Sequence, residues 1–264
     1  MTEFELRIVD KEGNILAQKK ETDEVCVVYE QAYQMGDCIE LILSEKNQYV
    51  WLQLDDALGK SLVYLTGDVT YRIPFEEKRT NLSPKAFWGE RHLLSARVAR
   101  DYEIAQYRNL AYNVCDQHLI ENLYPHATAN VETRGEAVFA VQNAIDGVTM
   151  NASHGDWPYE SWGINRQDDA KMRIDFGRKV CVDRLILYTR ADFPHDNWWE
   201  QVSFTFSDGS SFDMKMEKSY KPHEITFETK KITWIEMHDM KKADDPSPFP
   251  ALTQIEVYGT ESMR

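Results

Sequence analysis

Apolar and polar residues alternate through most of this 264-residue chain, and this pattern constrains the fold more than any other feature. Alternation with a period of two is typical of strands that bury one face. In the first half the alternating runs begin with Phe4, Leu6 and Ile8 and continue with Val25–Tyr29, Ile39–Leu43, Val50–Leu54, Leu62–Leu65 and Val69–Ile73. Short strands at such regular spacing are typical of a sandwich or jelly roll. Residues 1–85 are therefore predicted to form an N-terminal β-sandwich domain.

The second half shows the same periodicity. The residues that alternate toward one face are Met172, Ile174 and Phe176, then Val202, Phe204 and Phe206, then Phe212, Met214 and Met216, and finally Ile255 and Val257. Ser207–Ser210 contains Asp-Gly, a favoured hairpin turn. We expect residues 108–264 to form a second domain. The predicted fold class is thus all-β, with two β-sandwich (jelly-roll) domains.

Between the two alternating halves the pattern weakens. Residues 86–107 are rich in charged and polar side chains, and two helix and strand breakers lie near their start, Pro84 just before them and Gly89 within them. The same stretch contains apolar pairs at Phe87-Trp88 and Leu93-Leu94. We interpret it as a packed connector rather than a free linker, which would dock the two domains rigidly.

The charge of the chain limits its partners. The formal net charge is -14 at pH 7. Nucleic acids and anionic membranes are bound through Lys and Arg that neutralise phosphates, so neither is predicted as a partner. A neutral ligand suits this charge best.

The amino-terminal residues and the cysteines bear on the compartment. Met1–Arg7 has neither a basic segment nor an apolar core of the kind found in secretory signals, and no apolar run reaches transmembrane length. We expect a cytoplasmic protein, or a secreted one if a signal has been removed. Cys26, Cys38, Cys115 and Cys181 are widely spaced, which disfavours a zinc site. In a reducing compartment they are expected to be small buried apolar residues.

Aromatic and polar residues are concentrated in two loops of the second half. Sugars present apolar C–H faces and a rim of hydroxyl groups, so their sites combine an aromatic platform with fixed donors and acceptors. The residues predicted to bind a ligand in this way are His154, Trp157, Arg190, Asp192, His195, Asp196 and Trp198. Trp162 and Trp199 are instead expected to pack in the core.

A series of short motifs in the second half is shared with a known family. The motifs are Asn109–Asn113, Ala127–Asn130, Asn143–Gly147, the tryptophan-rich loop, Asp175–Gly177, Phe206–Gly209 and Gln254–Gly259. In this order they resemble the F5/8 type C (discoidin-like) domains, and most closely the family-32-like carbohydrate-binding modules, over about residues 108–260. The resemblance implies a galactose-binding-like jelly roll whose loops gather at one end and bind carbohydrate without catalysis.

The same resemblance implies a structural calcium ion. Related domains often hold calcium in a tight turn through backbone carbonyls and carboxylates, and hard cations need six to eight oxygens. The matching positions here are Asn143, Asp146, Val148, Asn151, Thr253 and Gln254. Gln254 stands where the family often has Glu, and Asn151 where it often has Thr. The loss of a carboxylate lowers the charge of the site, so an empty, hydrogen-bonded turn is an equal alternative.

Two other functions stay open from the sequence. A glycan-active enzyme would use a carboxylate pair, for which Asp192 and Asp196 are the best candidates, but no hydrolase elbow, zincin or phosphate-binding motif is present. The prediction is therefore a protein that is not an enzyme. A protein-interaction module could use the same aromatic loop, since exposed Trp and Arg are common in the centres of interfaces.

Overall fold

The computed structural model describes residues 1–152, 154–191 and 196–262, and it is built almost entirely of strands. In chain order these are β1 (Glu3–Val9), β2 (Ile15–Thr22), β3 (Glu24–Tyr29), β4 (Cys38–Leu43), β5 (Gln48–Gln53), β6 (Ser61–Leu65), β7 (Val69–Arg72), β8 (His92–Val98), β9 (Arg108–Asn109), β10 (Leu123–Tyr124), β11 (His126–Ala129), β12 (Trp162–Gly163), β13 (Met172–Thr189), β14 (Asp196–Asn197), β15 (Trp199–Phe206), β16 (Ser211–Lys215), β17 (His223–Lys242) and β18 (Phe249–Glu261). Helical segments are short: α1 (Asp101–Ile104) and 3-10 turns at Glu76–Arg79, Thr133–Gly135, Ala137–Phe139 and Val141–Ile145.

The N-terminal strands form two sheets that enclose one core. One sheet has the order β2-β1-β4-β7 and the other the order β10-β6-β5-β8-β3. Their inward faces carry the residues that the alternation predicts, among them Phe4, Leu6, Ile8, Ile39 and Leu41, all fully buried. Removing these side chains from water drives the association of the sheets. The first half of the chain thus has the predicted β-sandwich fold class.

The predicted connector is wrong for residues 92–98. These residues form β8, which lies between β3 and β5 in the second sheet. Its buried positions include His92 and Ala96, while Leu93 on the opposite face is exposed. Leu94 and Ala96 do alternate on the buried face, but the buried His92 and the exposed Leu93 obscure this pattern in the sequence.

The N-terminal core also extends past residue 108, where the second domain was predicted to begin. β10 pairs with β6, and Cys115, Ile120 and Leu123 pack among the side chains of the first sandwich. Residues 110–124 thus contribute to the N-terminal core before the chain enters β11.

The C-terminal strands form a second sandwich around a separate core. Its sheet follows the order β12-β18-β13-β17-β15-β16, with β9 and β14 paired to β18 and β11 paired to β13. The register shifts along β13, β17 and β18 mark bulges or irregularities, and bulges bend strands. Trp162 and Trp199 are fully buried in this core, as predicted. The molecule is therefore an all-β protein of two sandwiches.

A polar cluster joins the two sandwiches. The hydroxyl of Tyr49 donates to a Glu261 carboxylate oxygen at 2.7 Å, and Arg108 and Arg178 each donate to Glu261 at 2.6 Å. At a second junction the Asn81 side-chain amide donates to Asn143 Oδ1 at 2.8 Å, and both residues are buried. Buried, mutually satisfied groups of this kind fix orientation.

β2 is the strand least like the others. It lies at the edge of its sheet, paired to β1 alone, and its side chains are almost all exposed. The sequence lacks alternation there because neither face of β2 is buried.

The cysteines differ from expectation. All four are free; Cys115 is buried, whereas Cys26 is exposed and Cys38 and Cys181 are half-buried. The prediction of buried apolar cysteines is correct for Cys115 alone, because the others lie on the solvent-facing sides of β3, β4 and β13. Within the described ranges, no helix has the length and apolar character needed to cross a membrane.

Candidate functional site

A pocket of about 220 Å³ lies where β18 begins and β13 has just ended. β18 supplies its base, because β12 pairs with Leu252 and Ala251 while β14 pairs with Phe249 and Pro250. The pocket is lined by Thr133, Arg134, Phe139, His154, Tyr159, Gly163, Ile164, Asn165, Arg166, Arg190, Asp196 and residues 249–251. Residues distant in sequence thus meet at one cavity.

Aromatic rings form much of the pocket wall. Tyr159 is buried and packs edge to face against Phe139, with ring centroids 5.9 Å apart. The imidazole of His154 also packs edge to face against the Tyr159 ring, with ring centroids 4.8 Å apart. Phe249, by contrast, is partly exposed at the start of β18. The wall therefore offers apolar faces against which a flat C–H surface can pack.

Arg190 is the central polar residue. It is buried, and its Nε lies 3.3 Å from Asp196 Oδ2. Its guanidinium stands 4.5 Å from the centroid of the Tyr159 ring, and Nη1 donates to Ser161 Oγ at 3.3 Å. The main-chain N–H of Arg190 donates to the carbonyl of Ala251 at 3.2 Å. These contacts orient donor and acceptor groups along one side of the pocket.

Gly163 packs closely against Thr133 and Phe139, which also line the pocket. A Cβ at this position would lie 2.6 Å from Thr133 Oγ1 and 3.3 Å from the Cβ of Phe139. The first distance is shorter than van der Waals contact allows. Glycine is therefore required for Phe139 to reach the pocket.

Three of the predicted ligand-binding residues meet at this pocket: His154, Arg190 and Asp196. Trp157 and Trp198 do not line it. The side chain of Trp157 instead hydrogen-bonds the Glu160 carboxylate, which acts to lower the pKa of that group. Trp198 is half-buried next to the core residue Trp199. Asp192 and His195 lie outside the described residues.

The pocket therefore does not include the two tryptophans predicted to form the aromatic platform. Phe139 and Phe249 replace Trp157 and Trp198 at the pocket, and neither phenylalanine belongs to a tryptophan-rich loop. They are brought together through the pairing of β18 with β12 and β14. Long-range pairing of this kind leaves no local signal in a single sequence, although Tyr159 adjoins the predicted His154–Trp157 segment.

Two further arginines flank the aromatic wall. The guanidinium of Arg134 lies 5.5 Å from the Phe139 ring centroid, and it donates to Glu136 at 2.6 and 2.7 Å. The guanidinium of Arg166 lies 4.4 Å from the Phe249 ring centroid. Cations at these distances are attracted by the ring faces and are held in place by them.

The turn predicted to hold calcium lies close by. The side-chain oxygen of Gln254 accepts from the Gly147 N–H at 3.1 Å, and Asp146 Oδ1 accepts from the Val148 N–H at 2.8 Å. Asn143 instead donates to the carbonyl of Ala137 at 2.8 Å. Hydrogen bonds thus account for several of the predicted ligands.

A second carboxylate lies near this turn. Burial raises the pKa of Asp146 well above its usual value, and the negative charge of Glu160 adds to the increase. Burial also raises the pKa of Glu160, against the hydrogen bonds it accepts and the charge of Arg190. A divalent cation would relieve the repulsion between the two carboxylates.

Other atoms of the turn test whether calcium fits. Thr253 Oγ1 and Asn151 Nδ2 are buried without a hydrogen-bond partner. A hydroxyl oxygen without a partner suits a hard cation. Among the residues that the structure describes, however, no group of three or more His, Cys, Asp or Glu surrounds one point. Of the two unpartnered atoms, only the Thr253 hydroxyl could bind a cation, because Asn151 Nδ2 is a hydrogen-bond donor.

Comparison with known proteins gives structural likenesses but no sequence relatives. No protein-family model matches the chain, and no curated protein matches it in sequence. Similar solved structures include chitosan-binding module 1 of a chitosanase/glucanase from Paenibacillus sp. IK-5, at 20% identity and a TM-score of 0.40, covering 57% of this chain and 98% of that one.

Two further structures are similar over the same part of the chain. The lectin domain of lectinolysin, complexed with Lewis B antigen, is 18% identical with a TM-score of 0.40, over 58% of this chain and 96% of that one. The family 32 carbohydrate-binding module of C. perfringens NanJ, in complex with galactose, is 16% identical with a TM-score of 0.37, over 50% and 91%. All three structures are described by name as carbohydrate-binding or lectin modules.

The fold and the pocket define the class of protein. It is an all-β protein of two docked sandwiches, with a small aromatic and arginine-lined pocket in the second.

Proposed function

We propose that this protein binds a monosaccharide or the end of a short glycan in the pocket beside Arg190, without catalysing a reaction. The observation that carries the proposal is the combination of ring faces from Tyr159, Phe139 and Phe249 with a fixed polar side formed by Arg190 and Asp196. Apolar faces match the C–H surface of a pyranose, and the oriented polar groups match its hydroxyls.

The size of the pocket supports a small ligand. Its volume is about 220 Å³, whereas pockets for drug-sized ligands are roughly 300–1,000 Å³. One sugar ring is of the right order, and further sugars of a glycan would extend into solvent. Shallow sites with few contacts bind weakly, so a Kd of about 1 mM is expected.

The carboxylates at the pocket disfavour hydrolysis. Canonical glycosidases use two carboxyl groups, one as acid and the other as base or nucleophile. Among the described lining residues, Asp196 alone carries a carboxylate, and it is tied to Arg190 at 3.3 Å. A carboxylate held by an arginine is poorly suited to donate a proton, which supports a binding function.

We also propose that the turn at residues 143–151 binds calcium for a structural purpose. Asp146 and Glu160 would supply carboxylates, and the Thr253 hydroxyl lacks another partner in the described structure. Bound calcium would stabilise the turn next to the pocket and would take no part in chemistry.

A glycan array on the intact chain, followed by titration of each positive sugar, tests the binding function. Phe249→Ala should remove an exposed ring from the pocket and weaken sugar binding by about tenfold, since stacked aromatic residues contribute on the order of 1 kcal/mol or more. Tyr220→Ala removes another exposed ring outside the pocket lining and is the matched control.

Equal binding by Phe249→Ala and wild type would place the sugar elsewhere. A blank array together with flat titrations would contradict carbohydrate binding and favour the protein-interaction interpretation.

A further inference from the structure

The described residues that line the pocket include three arginines and one acidic residue, Asp196, although the chain as a whole carries a net charge of -14. Arg190 is paired with Asp196, and Arg134 is paired with Glu136. Arg166 also lines the pocket, but it forms no ion pair with any described residue. One guanidinium at the pocket is thus left without a compensating carboxylate in this part of the chain.

Arg166 is held at the pocket by its surroundings. Its guanidinium packs on the Phe249 ring at 4.4 Å. Asn165 and Arg166 both have left-handed backbone conformations, with φ values of 48° and 62°. Residues other than glycine adopt this conformation at a cost, and such costs are often retained at ligand sites. Arg166 is exposed, and its contact with the Phe249 ring keeps the guanidinium beside the cavity.

A neutral sugar would leave this charge without a partner. When a ligand covers a guanidinium, it removes water from the cation, and the loss is offset only by an opposite charge or by several hydrogen bonds. The planar N–H groups of arginine match the paired oxygens of a carboxylate or sulfate. The local charge thus points to a different ligand from the neutral one suggested by the net charge of the chain.

We propose that the preferred ligand is an anionic sugar, whose carboxylate or sulfate is bound by Arg166 with help from Arg134 while its ring packs on the aromatic wall. This inference rests on the proposed carbohydrate-binding function and specifies its ligand class. Tyr159 and Phe139 would contact the ring, so the two parts of the ligand are recognised by different parts of the pocket.

Calorimetric titration of the intact chain with matched sugars tests the inference. The pairs are galactose with galacturonate and glucose with glucuronate. Galactose 6-sulfate distinguishes sulfate from carboxylate, and sodium acetate and sodium sulfate report binding of a bare anion. At constant pH and ionic strength, at least one anionic sugar should bind about tenfold or more tightly than its neutral counterpart.

Variants assign this preference to the arginine. Arg166→Gln should bring the ratio of the anionic to the neutral affinity close to one, and this ratio, not either affinity alone, is the readout. Arg91→Gln, an exposed arginine outside the pocket lining, should keep the wild-type ratio.

The outcomes separate this inference from the function on which it rests. Equal affinities within each pair, or a ratio that survives in both Arg166→Gln and Arg134→Gln, would overturn the anionic ligand and leave sugar binding intact. Absence of binding by every sugar would overturn both proposals. Acetate or sulfate binding as tightly as the anionic sugars would overturn the anionic-sugar inference alone, since the ring would then contribute nothing to anion binding.

Discussion

Arg190 and Asp196 form a buried ion pair at the pocket, with Arg190 Nε 3.3 Å from Asp196 Oδ2. Arg190 comes directly after β13, and Asp196 lies in β14, shortly before β15. Both residues lie beside the first residues of β18. Their attraction holds the two ends of this segment together. The same arginine packs on Tyr159, so the pair also orients the aromatic wall.

Removal of one charge from this pair should destabilise the protein strongly. Asp196→Asn leaves the Arg190 guanidinium buried without its carboxylate, and loss of one partner from a buried pair costs about 3–5 kcal/mol. Urea denaturation measures the change in the free energy of unfolding. Glu200→Gln breaks an exposed ion pair with Lys241 and should change that free energy by less than about 1 kcal/mol. Similar stability of the two variants would show that the buried pair contributes little.

Gly163→Ala should reduce sugar binding by moving the pocket wall. The added Cβ would lie 2.6 Å from Thr133 Oγ1, so Thr133 or Phe139 must shift. Overpacking of this kind costs about 1–3 kcal/mol of stability. Gly67→Ala is the matched control, because its Cβ meets the Asn122 side chain at 3.1 Å in the other sandwich. Thermal unfolding and sugar titration of both variants are the measurements; a wild-type affinity for Gly163→Ala would mean that the wall does not contact the ligand.

Calcium should raise the melting temperature, and Asp146→Asn should separate the metal from the turn itself. Burial raises the pKa of Asp146 in the folded protein. Ionisation of Asp146 therefore lowers the stability of the fold as pH rises from the ordinary pKa of 3.8 toward the raised pKa. Without calcium at neutral pH, Asp146→Asn should therefore melt at a higher temperature than the wild type. With millimolar calcium the wild type should gain stability by mass action, and the variant should gain little.

The control for this experiment is Glu90→Gln, which removes an exposed carboxylate in the first sandwich. It should keep the wild-type response to calcium. A shift in melting temperature that is the same in Asp146→Asn and in wild type would assign the ion to another site. No shift in wild type would mean that the hydrogen-bonded turn is sufficient without metal.

Acid should weaken the junction between the sandwiches through Glu261. Burial acts to raise the pKa of Glu261, but Arg178, Tyr49 and Arg108 together lower it below its ordinary value of 4.5. A carboxyl group whose folded pKa is depressed stabilises the protein above its unfolded pKa and loses this effect as pH falls through the folded value. The stability difference between wild type and Glu261→Gln should thus be constant from pH 7 to pH 5 and shrink below about pH 4.5.

Urea denaturation at each pH gives that difference. Glu21→Gln, at an exposed position of β2, should follow the wild-type pH profile. A difference between wild type and Glu261→Gln that does not change with pH would show that Glu261 acts by packing rather than by charge.

The sequence predicts strands where one face alone is apolar and buried. β1 and β3 to β7 lie within two residues of their predicted bounds, because burial in a sandwich imposes a period of two. β8 is missed since His92 and Ala96 are buried while Leu93 is exposed. In β17 the first half is only partly buried, with Ile225 and Phe227 packed against the edge of the core, whereas Ile232 and Ile235 of the second half are fully buried.

The site is predicted in part for a related reason. Arg190 and His154 are recognisable because polar residues crowd into short loops next to aromatic ones. Phe139 and Phe249 are ordinary apolar residues in sequence, and they line the same cavity only once the chain has folded. Tryptophan content suggested a different platform, but the position of a ring in the fold decides whether it meets a ligand.

The exposed edge strand β2 has a consequence for self-association. An edge strand has unpaired peptide groups, and these can pair with the edge of another molecule. β2 presents Gln18, Lys19, Lys20 and Glu21 along its length. Two copies that met there would have to bury long, charged, well-hydrated side chains between their sheets. The polar side chains that leave β2 without an alternating pattern therefore also disfavour aggregation through this edge strand.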